Sequence, residues 1–367
     1  MKKRTRKLKG GSNSIRFHYT KKNSRIKWTE TLYPYGYQLI KEISKIPWES
    51  YKYDGESSIL IGDDEDQTLK DINGSAILPT PAYIILGGAC CEVLDHEYNK
   101  LVKLNDYVDP TSDIDILLSP PIFTATIDDE YRTVIYNNGY SKLIDHYTQW
   151  LFKQTVNMIK EFQKITTLPL EKTSKENTEE TKNADLEEPV GKFLVTRIHR
   201  GDMIKIQVTT TVKFISDHIL EFVLDSKYPP STMFGKETPN KKSYTNIDDI
   251  FIEQPYTLLL GQLKGFSGRK KLYEELNNNS KNILSHKVLN HCGRILYLAK
   301  LLQALHKKKI ETYVSISGLF YMIHKDIKVF RTNFCDIIHK DFFKTFIECF
   351  TDFPSYNSYV KQYKFII

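Results

Sequence analysis

Residues 86–118, LGGACCEVLDHEYNKLVKLNDYVDPTSDIDILL, carry the feature that most constrains the fold. Two glycines follow an apolar run, and two aspartates later alternate with isoleucines. Period-two alternation predicts a strand at 113–118, with Asp113 and Asp115 on one face and Ile114 and Ile116 on the other. Ionised carboxylates are costly to bury without compensation, and two on one face also repel. A divalent cation between them is the expected compensation, and oxygen ligands of this kind suit Mg2+ (or Mn2+). Upstream, AYIIL at 82–86 predicts a short strand running into Gly87 and Gly88, and 89–104 predicts a helix. Lacking Cβ atoms, the diglycine lets the backbone approach a ligand closely. The amides of Gly88, Ala89 and Cys90 are then orphan donors at a helix N-terminus, a favourable place for a phosphate. Either half alone is commonplace. Their order is what points to phosphoryl transfer assisted by metal ions.

Charge is unevenly distributed. The chain has 367 residues and a net charge of +7, yet residues 1–27 hold 11 Lys or Arg and no acid. The remainder holds 41 basic and 45 acidic side chains, so the basic character belongs to a tail. Such a tail is expected to be disordered and to add salt-dependent affinity for a polyanion or to serve localisation. It starts with MKKRTRKLKGGSNS and lacks the apolar stretch of a secretory signal. No run of 18 apolar residues suggests a membrane span. Five cysteines without framework spacing predict free thiols in a reducing, cytoplasmic setting.

Along the chain, 28–78 reads as a short helical segment and a loop. TATIDDEYRTVIYNN reads as extended, with a turn at Asn137-Asn138-Gly139. Residues 140–166 place Leu143, Ile144, Tyr147, Trp150, Leu151, Val156, Ile159 and Phe162 at helical spacing. The acidic stretch 168–191 reads as a solvated loop. KFLVTRIHRG and MIKIQVTTTV flank an Arg200-Gly201-Asp202 turn, a hairpin pattern. ISDHILEFVLD alternates through 215–225 as a strand, and the chain from about 247 reads as mostly helical.

With LGG at 86–88 and DIDIL at 113–117, the sequence resembles nucleotidyltransferases of the DNA polymerase β type. The family pattern is an apolar residue with Gly-Gly or Gly-Ser, a spacer, then aspartates alternating with apolar residues. The spacer here is longer than is usual in the family, and Ala89 stands where serine is common. The resemblance implies a third carboxylate on a later strand. Asp202 falls in a turn, leaving Asp217, Glu221 and Asp225. Glu221 lies at the centre of an apolar strand and is the choice, with Asp217 second on the same face. Its implied role is general base for a 3′-hydroxyl or metal ligand. In KVLNHCGRILYLAKLL, residues Lys287, Asn290, Arg294 and Tyr297 share one helix face. That face is either a solvated surface or a nucleotide-binding stripe.

These features together resemble the poly(A) polymerase catalytic subunits of large cytoplasmic DNA viruses. The resemblance implies an α+β nucleotidyltransferase core, a mixed sheet with helices, plus a mainly helical C-terminal domain. The corresponding division is a basic tail (1–30), an N-terminal segment (31–79), a catalytic domain (80–228) and a helical domain (229–367). It implies AMP transfer from ATP to RNA 3′ ends, with Asp113, Asp115 and Glu221 as metal ligands and catalytic residues. Gly87, Gly88, Lys287 and Arg294 are the implied ATP contacts. Implied partners are an RNA 3′ end, ATP and a second copy or processivity subunit, in the cytoplasm, a viral factory or a virion. The alternatives are a nucleotidyltransferase with a small-molecule or protein acceptor, and an inactive binding protein on the same fold.

Overall fold

The structure is a computed structural model. It describes residues 36–61, 68–108, 113–127, 130–135, 142–166, 184–201, 203–210, 218–225, 244–267, 278–310, 323, 325, 327–329, 340–353 and 356. The basic tail, the Asn137-Asn138-Gly139 turn, Asp202 and Asp217 lie outside the described residues. The described residues form two units. One falls within Arg25–Glu97 and Pro110–Leu258, the other within Tyr98–Asp109 and Leu259–Ile367.

The first unit is mixed α and β, with two sheets. Helix α1 (Gly36–Ser44) precedes strands β1 (Lys52–Ile61) and β2 (Thr68–Ile77). These pair antiparallel in a four-stranded sheet with β5 (Ile122–Ile127) and β6 (Glu130–Ile135), in the order β1-β2-β5-β6. The helical segment expected in 28–78 is thus α1, but the expected loop is a pair of ten-residue strands. KYDGESSILI has no clean apolar alternation; among the described side chains of the sheet's first two strands, Ser57 and Ala76 are the buried ones.

The larger sheet has eight strands. It contains β3 (Tyr83–Leu86), β4 (Ile114–Leu118), β7 (Ala184–Val190), β8 (Phe193–Arg200), β9 (Met203–Thr210), β10 (Leu220–Asp225), β11 (Tyr244–Ile247) and β12 (Ile250–Glu253). Their order is β11-β12-β3-β4-β10-β9-β8-β7. Strand β4 runs antiparallel to β3 and parallel to β10. The hairpin expected around Gly201 is β8–β9, with Arg200 opposite Met203 and Gly201 at φ +60°. The acidic stretch 168–191 ends in β7 rather than in a loop. Its ADLEEPV is the outermost strand, where charges and a proline are tolerated. The C-terminal stretch expected to be mainly helical opens with β11 and β12. Their two-residue turn needs positive φ at Asp248 (49°) and Asp249 (63°), which aspartate tolerates better than most residues.

Helix α2 (Gly87–Tyr98) follows β3 directly. The long helix α3 (Lys142–Ile165) matches the predicted amphipathic segment and touches β1 of one sheet and β7, β8 and β9 of the other. Leu143, Tyr147, Leu151, Ile159 and Phe162 are fully buried on its inner face. Each such side chain contributes about 1.5–3 kcal/mol by leaving water.

The second unit is helical where described, with α5 (Asn278–Lys307) and α6 (Lys340–Glu348). Helix α4 (Pro255–Ser267) begins in the sheet unit and ends in this one. Gly293 of α5 is there for space, since a Cβ would come within 2.5 Å of the Tyr107 carbonyl oxygen. Tyr297, expected on a polar stripe, is instead fully buried and packs on Tyr107. Phe342, Phe346, Phe350 and Phe353 add an aromatic cluster. No described helix is long and apolar enough to cross a membrane.

Candidate metal and phosphate site

Strand pairing builds the site. Ile84, Ile85, Ile114 and Ile116 are buried and fix the register of β3 against β4, with Leu86 opposite Asp115. A one-residue slip would turn every apolar side chain to the wrong face. This register brings the diglycine that follows Leu86 to the same end of the sheet as Asp113. On the other side of β4, Glu221 is the register partner of Asp115, and the Ile114 amide donates to the Ile219 carbonyl at 3.0 Å. Neighbouring strands lie about 4.8 Å apart, so Asp115 and Glu221 stand at paired positions of β4 and β10, with Asp113 one residue before β4.

The three acids are held differently. Glu221 is buried, at 8% exposure. Its Oε1 accepts from Lys205 Nζ at 3.0 Å and its Oε2 from Gln207 Nε2 at 2.5 Å, both on β9. Asp113 is half-buried and Asp115 has a solvent-accessible face. Loss of hydration on the protein side of Asp115, followed by the charges of Asp113 and Glu221, pushes its pKa up to about 6. His218 and Lys205 act in the opposite direction. Accessibility and dehydration coexist here because the carboxylate is open on one side and crowded on the others.

Among the described residues, one group could hold a metal ion: Asp113, Asp115 and His218. One ligand atom from each lies within 4.8 Å of the others. The donor set fits a divalent cation, because the mutual repulsion that raises the Asp115 pKa is what a positive charge would relieve. Glu221 stands beside this group with its oxygens already bound to Lys205 and Gln207.

At the diglycine, Gly87 has φ +63°, a left-handed conformation open to glycine at no steric cost. The Gly87 amide donates to the carboxylate of Glu253, the last residue of β12. Burial pushes the Glu253 pKa up to about 7, and the amide bond pulls it the other way. One turn on, the Cys90 thiol donates to the Ile85 carbonyl at 2.8 Å, tying α2 back to β3. Burial lifts the Cys90 thiol well above its ordinary value, which disfavours the thiolate. Cys90, Cys91, Cys292 and Cys349 are all free and buried.

Of the remaining expected contacts, Arg294 is half-buried on α5 in the helical unit. Lys287 lies on the same helix, with its side chain outside the described residues. His218, Lys205, Gln207 and Glu253 were missed from the sequence. Lys205 and Gln207 had a signal, being polar residues on one face of the otherwise apolar MIKIQV. Glu253 had none, since its meaning depends on which strand β12 joins. No family model, curated protein or solved structure matches the chain.

Proposed function

We propose that the protein is a metal-dependent nucleotidyltransferase that adds AMP from ATP to RNA 3′ ends. The observation that carries this reading is the pairing of Asp115 with Glu221 across β4 and β10, with Asp113 just before β4, at the sheet end where Gly87 opens α2. Asp113, Asp115 and His218 would hold the divalent cation. Once bound, the cation would supply Lewis-acid stabilisation to the attacking and leaving oxygens.

The other roles fall to the chain itself. The amides of Gly88, Ala89 and Cys90 donate to a phosphate oxygen of the nucleotide. Glu253 braces the Gly87 turn from β12. Glu221, steered by Lys205 and Gln207, takes the proton of the attacking 3′-hydroxyl. A bond forms from the 3′-oxygen to the α-phosphorus, the α–β anhydride bond breaks, and pyrophosphate leaves. The 11 basic residues in 1–27 favour an RNA acceptor over a small molecule.

The test uses full-length protein, a labelled oligoribonucleotide, Mg2+ or Mn2+, and each nucleoside triphosphate alone. Extension with ATP alone, lost in Asp113→Ala, is the expected result. A folded protein that extends no RNA with any nucleotide would sink the proposal.

A further inference from the structure

The ligand cluster contains an imidazole, and this goes beyond the all-carboxylate set implied by the resemblance. His218 leads into β10 one residue before Ile219, whose carbonyl is tied to the Ile114 amide at 3.0 Å. That bond fixes the β10 lead-in against the start of β4, between Asp113 and Asp115. It brings a histidine nitrogen into the group whose ligand atoms lie within 4.8 Å of one another. Glu221 is the register partner of Asp115 and accepts from Lys205 and Gln207, at 3.0 and 2.5 Å. Among the described residues, the third ligand atom grouped with the two aspartates is a nitrogen of His218.

We infer that His218 is a direct ligand of the divalent ion, and that the site consequently favours Mn2+ over Mg2+. This rests on the metal-site reading above and deepens it. Mg2+ is a hard cation that demands oxygen donors and gives up its water reluctantly. Imidazole nitrogen is a softer donor than a carboxylate oxygen; first-row transition ions accept it more readily than Mg2+ does, with Mn2+ the weakest binder of that series. Binding requires neutral imidazole, because the ring nitrogen must offer its lone pair. The two aspartates supply charge for any divalent ion, and His218 supplies the discrimination.

The experiment is Mn2+ binding to the full-length protein without nucleotide, read by pulsed electron paramagnetic resonance. Wild-type protein is expected to show nitrogen-14 modulation from a coordinated imidazole. His218→Gln and His218→Asn should each lose it, while His96→Gln, which removes an exposed histidine of α2, should keep it. Melting curves establish that the variants fold. Mn2+ affinity should fall at least tenfold in His218→Gln, while Mg2+ affinity, read by competition, should change less than threefold. Bound Mn2+ without nitrogen modulation, or modulation that survives both His218 variants, overturns the inference. RNA extension in Mn2+ separates the two readings. If His218→Gln extends RNA with wild-type Mn2+ dependence, the nucleotidyltransferase proposal stands and the histidine ligand falls. If wild-type protein binds Mn2+ through nitrogen yet extends no RNA, the ligand stands and the proposed activity falls.

Discussion

Glu253 illustrates how one side chain couples stability to the Gly87 turn. Its folded pKa of about 7 lies above the ordinary 4.5, so the folded protein binds this proton more tightly than the unfolded chain does. The associated stabilisation is whole below about pH 4.5 and is lost as pH rises through about 7. Glu253→Gln keeps an oxygen for the Gly87 amide and removes the titration. Its melting temperature is expected to equal that of wild type near pH 4.5 and to exceed it at pH 8. Superimposable profiles would show that the carboxylate is hydrated after all. Asp115 follows the same sign at lower pH, with stabilisation present below the ordinary 3.8 and lost as pH rises through about 6. In chelator, Asp115→Asn should therefore melt higher than wild type at pH 7. The gain should be modest, because the accessible face screens the repulsion. The same variant should lose nucleotidyl transfer, a stability gain bought at a functional position.

Among elements, the join between α3 and the large sheet depends on Arg197 of β8, which is buried at 4% exposure. Its guanidinium donates to Asp145 Oδ1 of α3 at 2.8 Å, to Thr148 Oγ1 at 3.0 Å, and to the Asp185 carboxylate of β7. Arg197→Met keeps much of the packing volume and removes these bonds. The two aspartates are 37% and 39% exposed, so they rehydrate. The expected loss is about 2–3 kcal/mol, below that for breaking a fully buried pair. Urea unfolding measures it, and a loss under about 0.5 kcal/mol would mean that α3 is held by its apolar face alone. The elements legible in the sequence include those whose apolar residues run or recur at the element's own period: β3, β4, the β8–β9 hairpin, β10 and α3. Strands β1 and β2 were not legible, because KYDGESSILI and TLKDINGSAI carry glycine and polar residues where apolar alternation would mark a strand. Strand β7 read as a loop because the charges suited to an edge strand also suit solvated coil. The two aspartates were legible because carboxylates inside an apolar strand conflict with burial. His218 was not, because it precedes its strand and nothing in its own neighbourhood conflicts.

For the whole molecule, the charge asymmetry has a measurable consequence. Residues 1–27 hold 11 of the 52 basic side chains. Deleting them should weaken RNA binding at low salt and flatten the plot of log affinity against log salt. The slope should fall by about 0.7 for each single-strand phosphate that the tail neutralises in the intact protein. An unchanged slope would assign the tail some other task. The larger sheet adds a constraint of a different kind. Strands β4 and β10 are immediate neighbours, yet β5, β6, α3, β7, β8 and β9 all intervene in the chain. A polypeptide still being made therefore has aspartates at 113 and 115 but no His218 or Glu221 to set beside them. The grouping of Asp113, Asp115 and His218 therefore joins residues more than a hundred positions apart, and no chain cut between β4 and β10 can form it.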